Sequence, residues 1–143
     1  MTGDMPTGAF PPSPIPKAAL VTGAGQRIGR ACALALADEG YAVAVHYHAS
    51  EKPARSVVTE IEQNGGKALA IAADLADEVQ VAALLPRAAE VLGPIGVLVN
   101  NASIFENDTV GTVTKEGWDA HLAVNLRAPF VLMQAFARPG GRR

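Results

Sequence analysis

A single cysteine, Cys32, leaves this 143-residue chain no internal disulfide and no cysteine-only metal cluster. Its three histidines, His46, His48 and His121, do not repeat at a metal-ligand spacing on a helix, so no metal site is expected. No apolar run reaches the ~20 residues of a membrane span, and the N-terminus has no basic segment followed by a long apolar core. The expectation is a cytoplasmic protein without membrane contact. An excess of one charge is lacking too: 12 Lys and Arg against 14 Asp and Glu give a net charge of -2, which offers no electrostatic reason to seek nucleic acid. Any anion must be held locally. What is present is apolar material for a core, 49% hydrophobic against 18% charged residues, in a length that allows one packed domain at most.

The first sixteen residues carry Pro6, Pro11, Pro12, Pro14 and Pro16 among Gly, Ser and Thr, and are read as a flexible leader. Residues 17–143 form the domain. Ala18 to Val21 is an apolar run ending at Thr22 and Gly23, as a buried strand entering a turn should. A helix from Ile28 to Glu39 stops at Gly40. Tyr41 to Tyr47 predicts a second strand, and Ser50 can cap a helix with Ala54, Val57, Val58 and Ile61 on one face. Lys67 to Ala73 predicts a third strand, Asp77 to Leu92 a helix with Val81, Leu85, Ala88 and Leu92 inward, and Ile95 to Val99 a fourth strand. Pro86 lies inside that last helix, where it removes a hydrogen bond and predicts a bend or break. A further helix starts at Lys115 to His121 and, after a bend, continues from Ala123 to Ala137. Strands separated by such helices need crossovers, which favours a parallel sheet covered on both faces, a three-layer α/β domain.

The most specific signal is Thr22-Gly23-Ala24-Gly25-Gln26-Arg27-Ile28-Gly29, set between the first strand and the first helix. Gly23 and Gly25 would let the backbone turn and approach a pyrophosphate at the free N–H groups of the helix start, and Gly29 would permit close helix-to-sheet packing. The bland alternative is that these glycines only make a turn. At the end of the second strand, His46-Tyr47-His48-Ala49-Ser50 carries no acid before Glu51, where NAD sites place a carboxylate for the ribose. Arg27, Ser50 and one of the two histidines would instead hold a 2'-phosphate, giving preference for NADP. Alternatively the histidines merely finish the strand and Arg27 is a solvated surface residue. Asp74, followed by Leu75, would read the adenine edge or cap the next turn.

These motifs resemble the short-chain dehydrogenase/reductase family, closest to its pteridine reductase-like branch, over Ala18 to Ala137. Thr22, Gly23 and Gly29 match the family loop T-G-x-x-x-G-x-G, and Arg27 stands where the middle glycine is usual, as in NADPH-using pteridine reductase-like members. Asp74-Leu75 matches the adenine-side pair, and Asn100-Asn101-Ala102-Ser103 matches the Asn-Asn-Ala element beside the cofactor. The resemblance implies a Rossmann-type three-layer sandwich with a parallel sheet, C-terminally incomplete. It implies that Ser103 lies near the cofactor and that Phe105 stacks on a flat substrate; as a residue, Phe105 could equally anchor its loop to the core. Asn125 resembles the tetrad asparagine, which bends its helix and orders a water. Trp118 is read as packing.

The family's proton-transfer pair, Tyr-x-x-x-Lys, has no counterpart here, since neither Tyr41 nor Tyr47 has Lys four residues later. The resemblance implies an NADP-dependent reductase of pteridine or carbonyl substrates, present as a truncated cofactor-binding portion, with a small-molecule substrate and a tetramer in full-length relatives. The alternative is a noncatalytic nucleotide- or partner-binding protein of the same fold. Ile95 to Val99 is expected to be an exposed apolar edge.

Overall fold

The computed structural model describes residues 14–138. Residues 1–13 of the expected leader and the Gly- and Arg-rich tail from 139 onward lie outside the described residues.

The elements alternate as the pattern predicts: β1 (Ala18–Val21), α1 (Arg27–Asp38), β2 (Ala42–Tyr47), α2 (Glu51–Gln63), β3 (Ala68–Ala72), α3 (Glu78–Leu92), β4 (Val97–Val99) and α4 (Lys115–Leu122). A π-helical turn, Ala123–Arg127, joins α4 to α5 (Ala128–Ala137) without a break in the helix. The four strands are all parallel in the order β3-β2-β1-β4. Because side chains alternate across a strand, Leu20 and Ala44 face one side and join Leu84, Leu85, Ala88 and Leu132 of α3 and α5. Val21, Val43 and Val45 face the other side and meet Ala33, Ala54, Val57 and Ile61 of α1 and α2. The result is the expected three-layer Rossmann-type sandwich. An ion pair between Arg30 and Glu60 ties α1 to α2 across the outer layer.

Three local expectations differ. Helix α3 runs unbroken through Pro86, because Pro86 and Ala82, whose carbonyl it leaves unpaired, both face solvent, where water can satisfy the carbonyl. Ser50 occupies the N-cap position of α2, but its side chain makes no cap bond. Its backbone, at φ -89° and ψ 79°, is not in the extended conformation of a cap, and Pro53, the third helical residue, has no N–H to offer it. Strand β4 is shorter than Ile95 to Val99: Ile95 is fully buried ahead of the ladder, and the Gly96 amide donates to the Ala18 carbonyl at 2.8 Å. Its Val97, Leu98 and Val99 are half-buried, and it pairs with β1 alone among the described residues. Trp118, expected in packing, is 59% exposed. Cys32 is half-buried against the α1/α2 side of the core. Among the described residues no helix is long and apolar enough to cross a membrane.

Candidate functional site

At the carboxyl ends of β1, β2 and β3 the chain opens into a cleft of about 590 Å3. Strands of a parallel sheet deliver their following loops to this one edge, and the order 3-2-1-4 puts the glycine loop after β1 at its centre. The cleft is lined by Gly23, Arg27 and Ile28 of that loop, His46 and His48 of the β2 end, Asp74 and Leu75 after β3, and Asn101, Ala102 and Ser103 after β4. The structure therefore brings together residues that are dispersed over 80 positions.

The glycine loop owes its shape to identifiable constraints. Gly23 adopts φ +61°, a left-handed conformation. Arg27 adopts φ +51° as well, which an arginine reaches only at some cost; this explains physically why glycine is the usual residue at that place in the motif. Gly29 is buried, and a Cβ on it would meet the Gly23 carbonyl oxygen and lie 2.5 Å from Asn101 Nδ2. Gly25 does not itself line the cleft. A Cβ there would lie 3.1 Å from the Ala54 amide nitrogen and 3.3 Å from Pro53 Cβ, so its small size serves packing against α2. Helix α1 begins with Gln26 at the N-cap, and no side chain caps it. Its first-turn N–H groups have no intrahelical acceptor, and Arg27 and Ile28, which begin it, line the cleft.

The two halves of the loop are cross-linked by polar side chains. Thr22, 1% exposed, takes the amides of Asn101 and Ala102 on Oγ1, each at 3.0 Å. Asn101 Nδ2 donates to the carbonyls of Thr22 and Gly23, both at 3.1 Å. Sequence reasoning gave Thr22 no role beyond the motif; a hydroxyl closing an otherwise apolar strand was the available signal.

His46 requires a correction as a phosphate ligand. It is 1% exposed, its Nδ1 accepts the Gly23 amide at 3.0 Å, and its Nε2 lies 2.9 Å from the Ala73 carbonyl. Both nitrogens are committed to the backbone, and burial pushes its pKa down, opposed by the Ala73 bond and helped by neighbouring His48. His48 is exposed in the cleft instead, with Nε2 3.9 Å from Asp74 Oδ1. Tyr47 and Ser50 do not line the cleft; Tyr47 is half-buried at the end of β2, and Ser50 is exposed with its hydroxyl uncommitted to the helix. Asp74 does cap the following turn, taking the Ala76 amide on Oδ1 at 2.9 Å, and still lines the cleft.

Asn125 sits inside the π-helical turn, at the place where the sequence led to the expectation of a bend. It is exposed and partnered: Oδ1 accepts the Ile104 amide at 2.8 Å, and Nδ2 donates to the Ile104 carbonyl at 2.9 Å. One helical turn earlier, His121 Nε2 accepts the Glu106 amide at 3.0 Å. Its other nitrogen, Nδ1, then carries the proton and donates to the Gly117 carbonyl at 2.7 Å. These two residues clamp the backbone on either side of Phe105, whose ring is 85% exposed beside Trp118 and outside the cleft. The loop-anchoring alternative for the Phe105 ring is thus corrected: the anchors are His121, which sequence reasoning missed, and Asn125. Their four-residue spacing on one helix was the signal.

The short chain dehydrogenase family model matches residues 17–140. The chain is 42% identical over 118 residues to the 3-oxoacyl-(acyl-carrier-protein) reductase FabG of Staphylococcus aureus, covering 82% of this chain and 48% of that one. A short chain dehydrogenase from Burkholderia cenocepacia, solved in complex with NADP, superposes with a TM-score of 0.82 at 43% identity, over 88% of this chain and 52% of that one. FolM alternative dihydrofolate reductase 1 from Brucella canis, complexed with NADP, gives 0.77 at 39% identity, over 82% and 47%. The chain belongs to the short-chain dehydrogenase family. It spans about half the length of the curated relatives it matches.

Proposed function

We propose that the chain forms the dinucleotide-holding portion of an NADP-dependent short-chain reductase. The observation that carries this reading is the uncapped start of α1, opening on the cleft behind a loop held by Thr22, His46 and Asn101. Amides there suit a pyrophosphate, which gains both hydrogen bonds and the favourable end of the helix dipole. Arg27 of the glycine loop and His48 after β2 both line the cleft, and no carboxylate stands in the chain between the end of β2 and Glu51. A 2'-phosphate there meets the Arg27 guanidinium and an imidazole where NAD would need a carboxylate, with the Ser50 hydroxyl, which makes no cap bond, lying outside the cleft lining. On the other side, Asp74 Oδ2 has no protein partner among the described residues and can accept from the adenine amino group, with Leu75 beside it. The NADP bound by the Burkholderia and Brucella relatives supports the same choice.

Bound NADPH would supply a hydride for a carbonyl or a pterin-like double bond. Ser103 lines the cleft, and the clamp made by His121 and Asn125 holds the backbone on either side of Phe105, whose ring lies outside the cleft, so stacking on a flat substrate would require that ring to turn inward. The likeness to the Brucella FolM dihydrofolate reductase supports a pteridine substrate, and the likeness to the Staphylococcus 3-oxoacyl reductase supports a carbonyl. Titration calorimetry tests the reading: saturable NADP binding, at least tenfold tighter than NAD by the loss of one charge-assisted contact to the 2'-phosphate, is the expected result at roughly 1.4 kcal/mol per decade. Equal affinity for the two dinucleotides, or none for either, overturns it. Binding with no turnover of dihydrobiopterin or ketones by the 143-residue chain agrees with its lack of a Tyr-x-x-x-Lys pair.

For the homo-oligomer, the support is a stripe along α4, the π-helical turn and α5. Trp118, Leu122, Leu126, Phe130 and Met133 are each 41–65% exposed and recur every three or four residues, beside a groove of about 700 Å3. A helix face of this kind pairs with its own copy across a twofold axis. Leu126→Asp is expected to convert the assembly to monomers, read by light scattering during size-exclusion chromatography, and an unchanged mass would remove this reading.

A further inference from the structure

Gly23 is gripped from two directions by side chains of neighbouring strands. Its carbonyl accepts from Asn101 Nδ2 at 3.1 Å, and its amide donates to His46 Nδ1 at 3.0 Å. The next amide, Ala24, donates to the His46 carbonyl at 2.9 Å. The first bond fixes the tautomer, because Nδ1 can accept only when it carries no hydrogen. The proton therefore sits on Nε2 and is donated to the Ala73 carbonyl at 2.9 Å, directly before Asp74. One buried ring thus spans the cleft floor, from the glycine loop after β1 to the end of β3. The ring presents no free nitrogen to the cleft.

We propose that His46 is a positioning residue for the dinucleotide loop, acting as a neutral imidazole whose Nδ1 holds the Gly23 amide. This rests on the dinucleotide reading above. Adding a proton would put a donor on Nδ1 facing the Gly23 N–H, so the bond would be replaced by a repulsion and the loop released. Burial of the ring resists that protonation, and so holds the loop shut near neutral pH. The charged groups around the ring are Arg27 of the glycine loop, His48 of its own strand end, Asp74 after β3, and Arg87 of α3, which donates to the Ala72 carbonyl. Strands β1 and β3 themselves contribute none. Of these, His48 adds to burial in disfavouring a positive charge on the ring, while the bond to the Ala73 carbonyl opposes them.

Two substitutions separate the two bonds of the ring. His46→Asn places an amide oxygen where Nδ1 stood and keeps the Gly23 bond, while surrendering the one to Ala73. His46→Gln reaches the Ala73 carbonyl and leaves the Gly23 amide without its acceptor. With folding checked by circular dichroism, His46→Gln is expected to weaken NADP binding about tenfold and His46→Asn by no more than about threefold, the value of one backbone hydrogen bond. The Gly23 amide, followed by NMR hydrogen exchange, should be protected in the original protein and in His46→Asn, and exposed in His46→Gln. In the original protein that protection should fall as pH drops below 6.5, the ordinary histidine value, toward the lowered value of the buried ring. In His46→Asn it should not. Equal Gly23 protection and equal affinity in the two variants, or protection in the original protein that ignores pH, overturns the proposal. Because amide exchange needs no ligand, absence of NADP binding together with the expected exchange pattern would instead overturn the dinucleotide reading and leave the loop pin standing.

Discussion

Arg27→Gly is expected to weaken NADP binding by roughly 10- to 100-fold while leaving NAD binding within about twofold, the value of a charge-assisted contact to phosphate that only NADP possesses. The same change should leave the protein as stable as before, or more stable by up to about 1 kcal/mol. The reason is the backbone: Arg27 sits at φ +51°, where a side chain is strained and glycine is not. Affinity and stability are thus expected to move in opposite directions, an outcome that a surface arginine with no ligand role would not produce. Calorimetry with each dinucleotide and urea unfolding of the same preparation supply the two readings. Parallel losses for NADP and NAD would mean that Arg27 shapes the loop without touching the 2'-phosphate.

Gly29→Ala is expected to have the largest effect on stability, a loss of about 1–3 kcal/mol or more of the kind seen when a packed site is overfilled, together with loss of dinucleotide binding. A Cβ at this position meets the Gly23 carbonyl oxygen and Asn101 Nδ2, which are themselves hydrogen-bonded to each other. Neither neighbour can give way cheaply, because the Gly23 amide is tied to His46 and the Asn101 amide to Thr22. Gly40→Ala is the instructive comparison. Its φ of +86° makes alanine costly by about 1–2 kcal/mol, yet a Cβ there meets nothing within 4 Å and lies away from the cleft. It should destabilise the chain and leave NADP affinity intact. Similar binding losses in both variants would show that loop geometry at Gly29 has no special bearing on the cleft.

The Rossmann-type layering was legible because its causes are local. Four apolar runs alternate with helices whose inward faces recur at helical spacing, and Gly40, Gly65 and Gly93, all at positive φ, stop those helices where the pattern ends. The glycine loop was legible for the same reason, since a turn, a close approach and a helix start are neighbours in the chain. At Ser50 and Pro86 only part of the expectation is met: Ser50 takes the cap position without a side-chain bond, and α3 is not broken at Pro86. Ser50 holds the cap position with a backbone that is not the extended geometry of a cap, and Pro86 sits on the solvent face, where the carbonyl it leaves unpaired is open to water. The π-helical turn at Asn125 was anticipated as a bend; that the side chain would grip Ile104, 21 residues earlier, was not.

The order of residues was sufficient for the strand and helix succession, for the place of the cleft and for the absence of an acid at the β2 end. Packing in three dimensions decided which histidine faces the cleft. His46 and His48 lie two residues apart and belong to the same short motif, yet one is sealed beneath the loop and the other opens to it. The partners that claim the His46 ring lie 23 and 27 residues away in the chain. Hydrogen bonds of that reach exist only once β1, β2 and β3 are laid side by side, so no local pattern can announce them.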